Sequence, residues 1–179
     1  MQAYQICHPI PAGATSYAFT SVRSFSRLAQ VWLTFRKDGG RNYSFVCPGA
    51  LPGETDINNV SISNGTGVPQ ARLSLGPHNW PDPQPVTTAA EYHMMLTKAL
   101  GYSPNINRKC FEENAFTIVW DIKKNPGDPT SALSTRSGDL IRISVDNLTA
   151  NAATEVWVTL ISFGVVAIRE SGEIGRAHV

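Results

Sequence analysis

Between residues 138 and 170 the hydrophobic rhythm of the chain changes in a way that limits the folds open to it. Ile141, Ile143 and Val145 alternate with Arg142, Ser144 and Asp146, the period of two expected of a half-buried strand. After a polar connector at 148–154, residues 156–168 are apolar at nearly every position. A strand of that kind is covered on both faces, inside a sandwich or against another subunit. Thirteen residues at about 3.3 Å each would span roughly 43 Å, more than twice the usual strand. Gly164 is therefore expected to split the run with a bulge or bend. The run is too short for a transmembrane helix and carries Thr159 and Ser162. The two arms read as a β-hairpin at the centre of an all-β domain.

The rest of the chain supplies more strands. Residues 2–9 form a short apolar segment closed by Pro9-Ile-Pro-Ala-Gly13. Tyr17 and Phe19 share a face, and Val31, Leu33 and Phe35 alternate with Trp32, Thr34 and Arg36. Lys37-Asp-Gly-Gly-Arg41 signals a turn. Residues 41–67 then shift to Gly, Pro, Asn and Ser, an excursion long enough to suggest a functional or partner-facing loop. Ala71, Leu73 and Leu75 resume the alternation. Residues 76–85, rich in proline, read as a rigid extended crossing anchored by Trp80. Thr88-Ala-Ala-Glu91 is a capping box, Tyr92, Met95, Leu96 and Ala99 follow at helical spacing, and Gly101 supplies the stop. One short helix is predicted over about 88–100. Phe116, Ile118, Trp120 and Ile122 alternate with Thr117, Val119 and Asp121 as a further strand, and residues 123–137 form a second long polar loop.

At 179 residues the chain is long enough to bury a core as one domain, and no internal repeat or linker divides it. A net charge of +1 and a charged fraction of 16% argue against a non-specific nucleic-acid binder, and 42% hydrophobic residues argue against disorder. Cys7, Cys47 and Cys110 have no CxxC spacing and read as separate thiols, which favours a reducing compartment. Four sequons, at Asn42, Asn59, Asn64 and Asn147, lack an accompanying secretory signal and read as polar loop composition. Residues 173–179, Glu-Ile-Gly-Arg-Ala-His-Val, are the in-frame translation of a common sequencing adapter, GAG ATC GGA AGA GCA CAC GTC. The native sequence is accordingly expected to occupy 1–172 and to continue beyond Gly172.

Catalytic constellations do not emerge. His8, His78 and His93 lack the spacing of a metal site, so neither metal ligands nor cofactor-binding residues are assigned. Ser134-Thr-Arg-Ser-Gly138 lies in a loop without a local base, and consecutive Glu112 and Glu113 point apart. No enzyme is expected. Excess apolar and aromatic area is instead what an obligate oligomer buries.

The order of features resembles the C-terminal half of double jelly-roll major capsid proteins of polinton-like, adintovirus-like and related large DNA viruses. The resemblance rests on Arg72-Leu-Ser-Leu-Gly76, Trp80-Pro-Asp-Pro-Gln-Pro-Val86 and Ala90-Glu-Tyr-His-Met-Met-Leu-Thr-Lys-Ala-Leu-Gly-Tyr102. It continues through Phe116-Thr-Ile-Val-Trp-Asp-Ile-Lys-Lys124, Thr135-Arg-Ser-Gly-Asp139 and Ile168-Arg-Glu-Ser-Gly172. Upstream, Phe25-Ser-Arg-Leu-Ala-Gln-Val-Trp-Leu-Thr-Phe35 looks like the strand that opens this half. What it implies is an antiparallel jelly-roll β-sandwich, one roll of a longer two-roll chain, with a structural role. Three subunits would form a pseudo-hexagonal capsomer, and capsomers, with possible minor capsid proteins, would tile an icosahedral shell assembled inside the host cell. Loops 41–67 and 123–137 would form outward towers or inter-subunit clasps, and the apolar stripe around Trp157 and Phe163 would pack between sheets or toward a neighbouring roll. It implies no catalytic residue, no cofactor, no specific nucleic acid and no membrane span. A stand-alone extracellular jelly-roll module that binds a glycan or ligand is the alternative, favoured by the sequons and opposed by the unpaired cysteines.

Overall fold

The computed structural model describes residues 1–36, 69–81, 84, 86, 88–102, 105–107, 110–112, 115–125, 128, 131–135, 139–148, 153–163, 166–168 and 174–176. Loop 41–67, with Cys47 and the sequons at Asn42, Asn59 and Asn64, lies outside these residues, as do Gly164 and residues 169–173. Eight strands build two four-stranded antiparallel sheets. They are β1 (Gln2–Pro9), β2 (Tyr17–Ser21), β3 (Leu28–Arg36), β4 (Gln70–Leu75), β5 (His78–Trp80), β6 (Thr117–Asp121), β7 (Ile141–Asp146) and β8 (Glu155–Ser162). Among the described residues one helix exceeds a single turn, α1 (Ala89–Leu100), which lies between β5 and β6 in sequence.

One sheet has the order β1-β8-β3-β6 and the other β2-β7-β4-β5. From β1 to β8, only the β4–β5 connection stays within a sheet, and every other connection crosses to the opposite layer. This wrapping of two sheets around one core is a jelly roll. The expected all-β jelly-roll sandwich with one short helix is therefore what the chain forms.

Register explains the core. Val31, Leu33 and Phe35 of β3 stand opposite Leu160, Val158 and Val156 of β8, while Val31 and Leu33 also face Trp120 and Ile118 of β6. All eight side chains point inward and are buried. In the facing sheet Phe19, Ile143 and Leu73 stand in one row across β2, β7 and β4, and Ala71 and Val145 in the next. These side chains are also buried. Alternation in the sequence thus becomes two facing apolar layers.

The expected hairpin at 138–170 does not form. β7 pairs with β2 and β4, whereas β8 pairs with β1 and β3, so the two arms lie in opposite sheets. Both arms present an apolar face to the same core, and a period of two fixes that face without fixing the partner strand. Asn147 adopts φ 61°, and the buried Leu148 donates its N–H to Thr15 O at 2.9 Å. Ala153 is buried, and the Thr154 backbone bonds both Arg36 O (2.9 Å) and Ile10 N (2.7 Å). A polar hairpin loop would have no use for two buried apolar side chains.

β8 also differs from the strand covered on both faces that its composition suggested. Val156, Val158 and Leu160 are buried, but Trp157, Thr159 and Ile161 on the opposite face are half-buried. The strand ends at Ser162, and the backbone resumes β pairing in β9 (Val166–Ile168), so the apolar run is divided near the expected place. β9 pairs with β10 (Ile174–Arg176) in a two-stranded sheet of its own.

Residues 76–85 were expected as an extended crossing, but the first of them form a tight hairpin. Leu75 stands opposite His78, leaving Gly76-Pro77 as the two turn residues. Gly76 has φ +55°, and proline cannot follow it to positive φ, so the pair suits a type II′ turn. A Cβ on Gly76 would meet Asp139 Oδ1, so the turn also needs the missing side chain. Trp80, opposite Leu73, packs against the core as the expected anchor.

Candidate assembly surface

The two sheets leave two long lateral edges, and the chain treats them differently. At one edge lies β6, both of whose faces are buried although it is a terminal strand. Helix α1 packs on it. The helix starts where the sequence placed it: Glu91 N donates to Thr88 Oγ1 (3.3 Å), and Thr88 N donates to Glu91 Oε2 (3.0 Å). Gly101 ends it at φ 74°, donating to Thr97 O. The predicted stripe faces inward, with Tyr92 and Leu96 buried and Met95 and Ala99 packed against the core. Tyr92 links this edge to the other sheet. Its hydroxyl donates to Pro69 O at 2.7 Å and accepts from Ala71 N at 3.1 Å, while its ring meets Phe116 edge-on at 5.6 Å. Gln30 adds a bond from Nε2 to Ala99 O at 2.9 Å. The helix therefore buries both faces of β6 and ties this edge to the opposite sheet.

At the other edge β1 lies over β2, as the ring contacts of His8 with Phe19 (4.8 Å) and Tyr17 (6.5 Å) show. Here, among the described residues, the strands end the sheets without a helix over them. The Arg23 guanidinium stacks on Tyr4 at 3.9 Å and reaches Phe25 at 5.7 Å, leaving neighbouring Val22 86% exposed.

The outward face of β8 carries the sequence-predicted Trp157. It points away from the opposite sheet, with its indole N–H donating to Glu155 Oε2 at 3.2 Å and Arg36 above its ring at 5.1 Å. Phe163 lies just past the strand, its N–H bonded to Arg27 O. Trp157, Trp32 and Ile161 are half-buried on the outward face of this sheet, where Trp32, opposite the buried Val119, also packs against the core.

The other residues weighed from sequence are dispersed. His8 is on β1, His78 on β5 and His93 on α1, where its ring lies 5.1 Å from Phe111. Among the described residues no group of three or more His, Cys, Asp and Glu gathers as metal ligands do. Cys7 and Cys110 are exposed free thiols. Partial burial, and then the Glu155 carboxylate, raise the Cys7 thiol above its usual range, and burial first pushes Tyr17 up to about 12. No helix among the described residues is long and apolar enough to cross a membrane.

Motif residues have structural work instead. Thr135 Oγ1 accepts from Phe25 N at 2.8 Å, and Thr135 N donates to Phe25 O, tying the second long loop to the start of β3. Asp121 and Lys123 form a largely buried ion pair at 3.5 Å. Loop residues Asn125 and Asp128 bond through Ser131, folding the described part of 123–137 back on itself. That β1 is a terminal strand among the described residues is not legible in the sequence, because edge status depends on strand order.

No family model matches the chain, and no curated protein matches it in sequence. Among solved structures it is similar to a chain described as the crystal structure of PBCV-1 VP54 fitted into a cryo-EM reconstruction of the virophage Sputnik. The likeness has a TM-score of 0.58 at 11% identity and covers 99% of this chain. This chain spans half the length of that one. The similarity shows a shared jelly-roll fold, extending over nearly all of the sequence.

Proposed function

We propose that this chain is a jelly-roll segment of a viral major capsid protein, of the double jelly-roll kind found in polinton-like, adintovirus-like and related large DNA viruses. The observation that carries the reading is the strand order β1-β8-β3-β6 over β2-β7-β4-β5, together with the likeness to VP54 across 99% of the chain. The half-length coverage of that neighbour suits one roll of a longer two-roll subunit. In this reading residues 1–172 are one roll, three subunits make a pseudo-hexagonal capsomer, and capsomers meet one another and minor capsid proteins in the virion shell, assembled inside the host cell. A rigid sandwich holds the contact surfaces, and the half-buried, outward-facing Trp32, Trp157 and Ile161 offer apolar area to a neighbour. No residue is assigned to catalysis, to a cofactor or to specific nucleic-acid binding.

The test is to express the complete reading frame and measure its mass by light scattering, then image it by electron microscopy. The proposal expects trimers with a hexagonal outline. A complete chain that stays monomeric at every concentration contradicts it. The single roll, residues 1–172, is expected to self-associate or to be poorly soluble, which sedimentation of the isolated chain checks.

A further inference from the structure

We propose that the outer edge of β1 is a self-pairing site at which a second copy of this chain adds its own β1 antiparallel, across a two-fold axis at Gln5. Among the described residues β1 pairs on one side alone, with β8. Its free side is a row of backbone donors and acceptors that an extended strand satisfies. Sheet edges are ordinarily guarded by charge, proline or a covering element. β1, Gln-Ala-Tyr-Gln-Ile-Cys-His-Pro, contains no Asp, Glu, Lys or Arg, and its proline stands at the far end. β2 beneath it, Tyr-Ala-Phe-Thr-Ser, is equally uncharged.

A second copy fits this edge for three reasons. The side chains of β1 itself are uncharged, so two copies of the strand meet without like charges along the ladder, the nearest cation being Arg23, held on Tyr4 by its stacking. A two-fold perpendicular to the sheet keeps inward residues inward, so the two register numbers must add to an even value. An axis at Gln5 pairs Gln2 through His8 and leaves Pro9 outside the ladder, whereas an axis at Ile6 draws Pro9 in and one at Tyr4 shortens the overlap. The Gln5 register sets Tyr4 opposite Ile6 of the second copy on the inward face, an aromatic–β-branched pair, and Ala3 opposite Cys7 on the outward face. Finally, a two-fold contact occupies the β1 edge of both copies, while α1 packs on the terminal strand at the far side of the sheet. Pairing at β1 therefore stops at two copies, giving one continuous sheet β6-β3-β8-β1 joined to its symmetry mate rather than a fibre.

The inference names a contact that the capsid reading does not, and its test is separate. Gln5 is exposed, so its substitution leaves the core intact. Sedimentation equilibrium of the parent chain is expected to show a reversible step to twice the 19.5 kDa monomer. Gln5→Lys and Gln5→Glu each place like charges about 5 Å apart across the axis, and each is expected to abolish the dimer. Mixing the two variants is expected to restore it, and two misfolded chains would not recover on mixing. A parent that is monomeric throughout, a parent that grows without limit, variants that associate as tightly as the parent, or a mixture that stays monomeric each overturns the proposal. Trimers of the complete chain that survive Gln5→Lys leave the capsid reading standing while the β1 inference falls only if its dimer persists as well.

Discussion

The two lateral edges of this sandwich are made of similar strands and have opposite fates. β6 is a short terminal strand whose side chains are buried on both faces, and the helix that follows β5 packs on it. β1 is longer, Gln2–Pro9, yet every second residue is exposed and one side of its backbone has no strand beside it among the described residues. The difference lies in what the chain puts outside the sheet. A capping box, an inward stripe and Tyr92 convert the first edge into core, whereas a single arginine stacked on Tyr4 covers part of the second. A jelly roll has edges that it must close or use. Among the described residues this one packs a helix at one edge and places no element beyond the other.

The contrast can be broken most severely at the closed edge. Tyr92→Ala removes a fully buried ring and both of its hydroxyl bonds, and is expected to cost about 4 kcal/mol or prevent folding, measured by urea denaturation. Tyr92→Phe keeps the ring but strands Pro69 O and Ala71 N, with an expected loss of about 2 kcal/mol. Thr88→Ala removes the N-cap and should cost about 1 kcal/mol in the same assay. At the open edge Arg23→Ala removes the stacking on Tyr4 and the longer contact with Phe25, both at an exposed site, so its expected cost is about 0.5 kcal/mol. If Arg23→Ala proves as damaging as Tyr92→Ala, the two edges are energetically alike and the contrast fails.

A pH series sharpens the same comparison. Tyr17 of β2, at the open edge, has its phenol raised to about 12 by burial and secondarily by Cys7. The unfolded phenol ionises near 10, so between pH 10 and 12 the unfolded state binds fewer protons and stability falls as pH rises. Because the ring is half exposed, the loss is discounted to about 1 kcal/mol. Tyr17→Phe is expected to flatten that part of the stability–pH curve.

Much of this was legible in the amino-acid order. Thr88, Glu91 and Gly101 announced α1 because caps are local chemistry, and Ala71, Leu73 and Leu75 announced β4 because alternation is local geometry. Partner choice is not local. Residues 141–146 and 155–162 look like two arms of a hairpin, yet each pairs with strands distant in sequence. Gly76-Pro77 carried a type II′ signal that the surrounding prolines masked. The open edge was hidden for the same reason as the hairpin error: whether β1 lies inside or outside a sheet follows from the order of all four strands.

Hydrogen exchange followed strand by strand against protein concentration tests the two-edge account most directly. The account predicts slow exchange in β6 at every concentration, with outward-facing amides of β1 fast in dilute solution and protected once copies pair. Equal protection of β1 and β6 in dilute solution, or β1 amides that stay fast at the highest concentration, would contradict it.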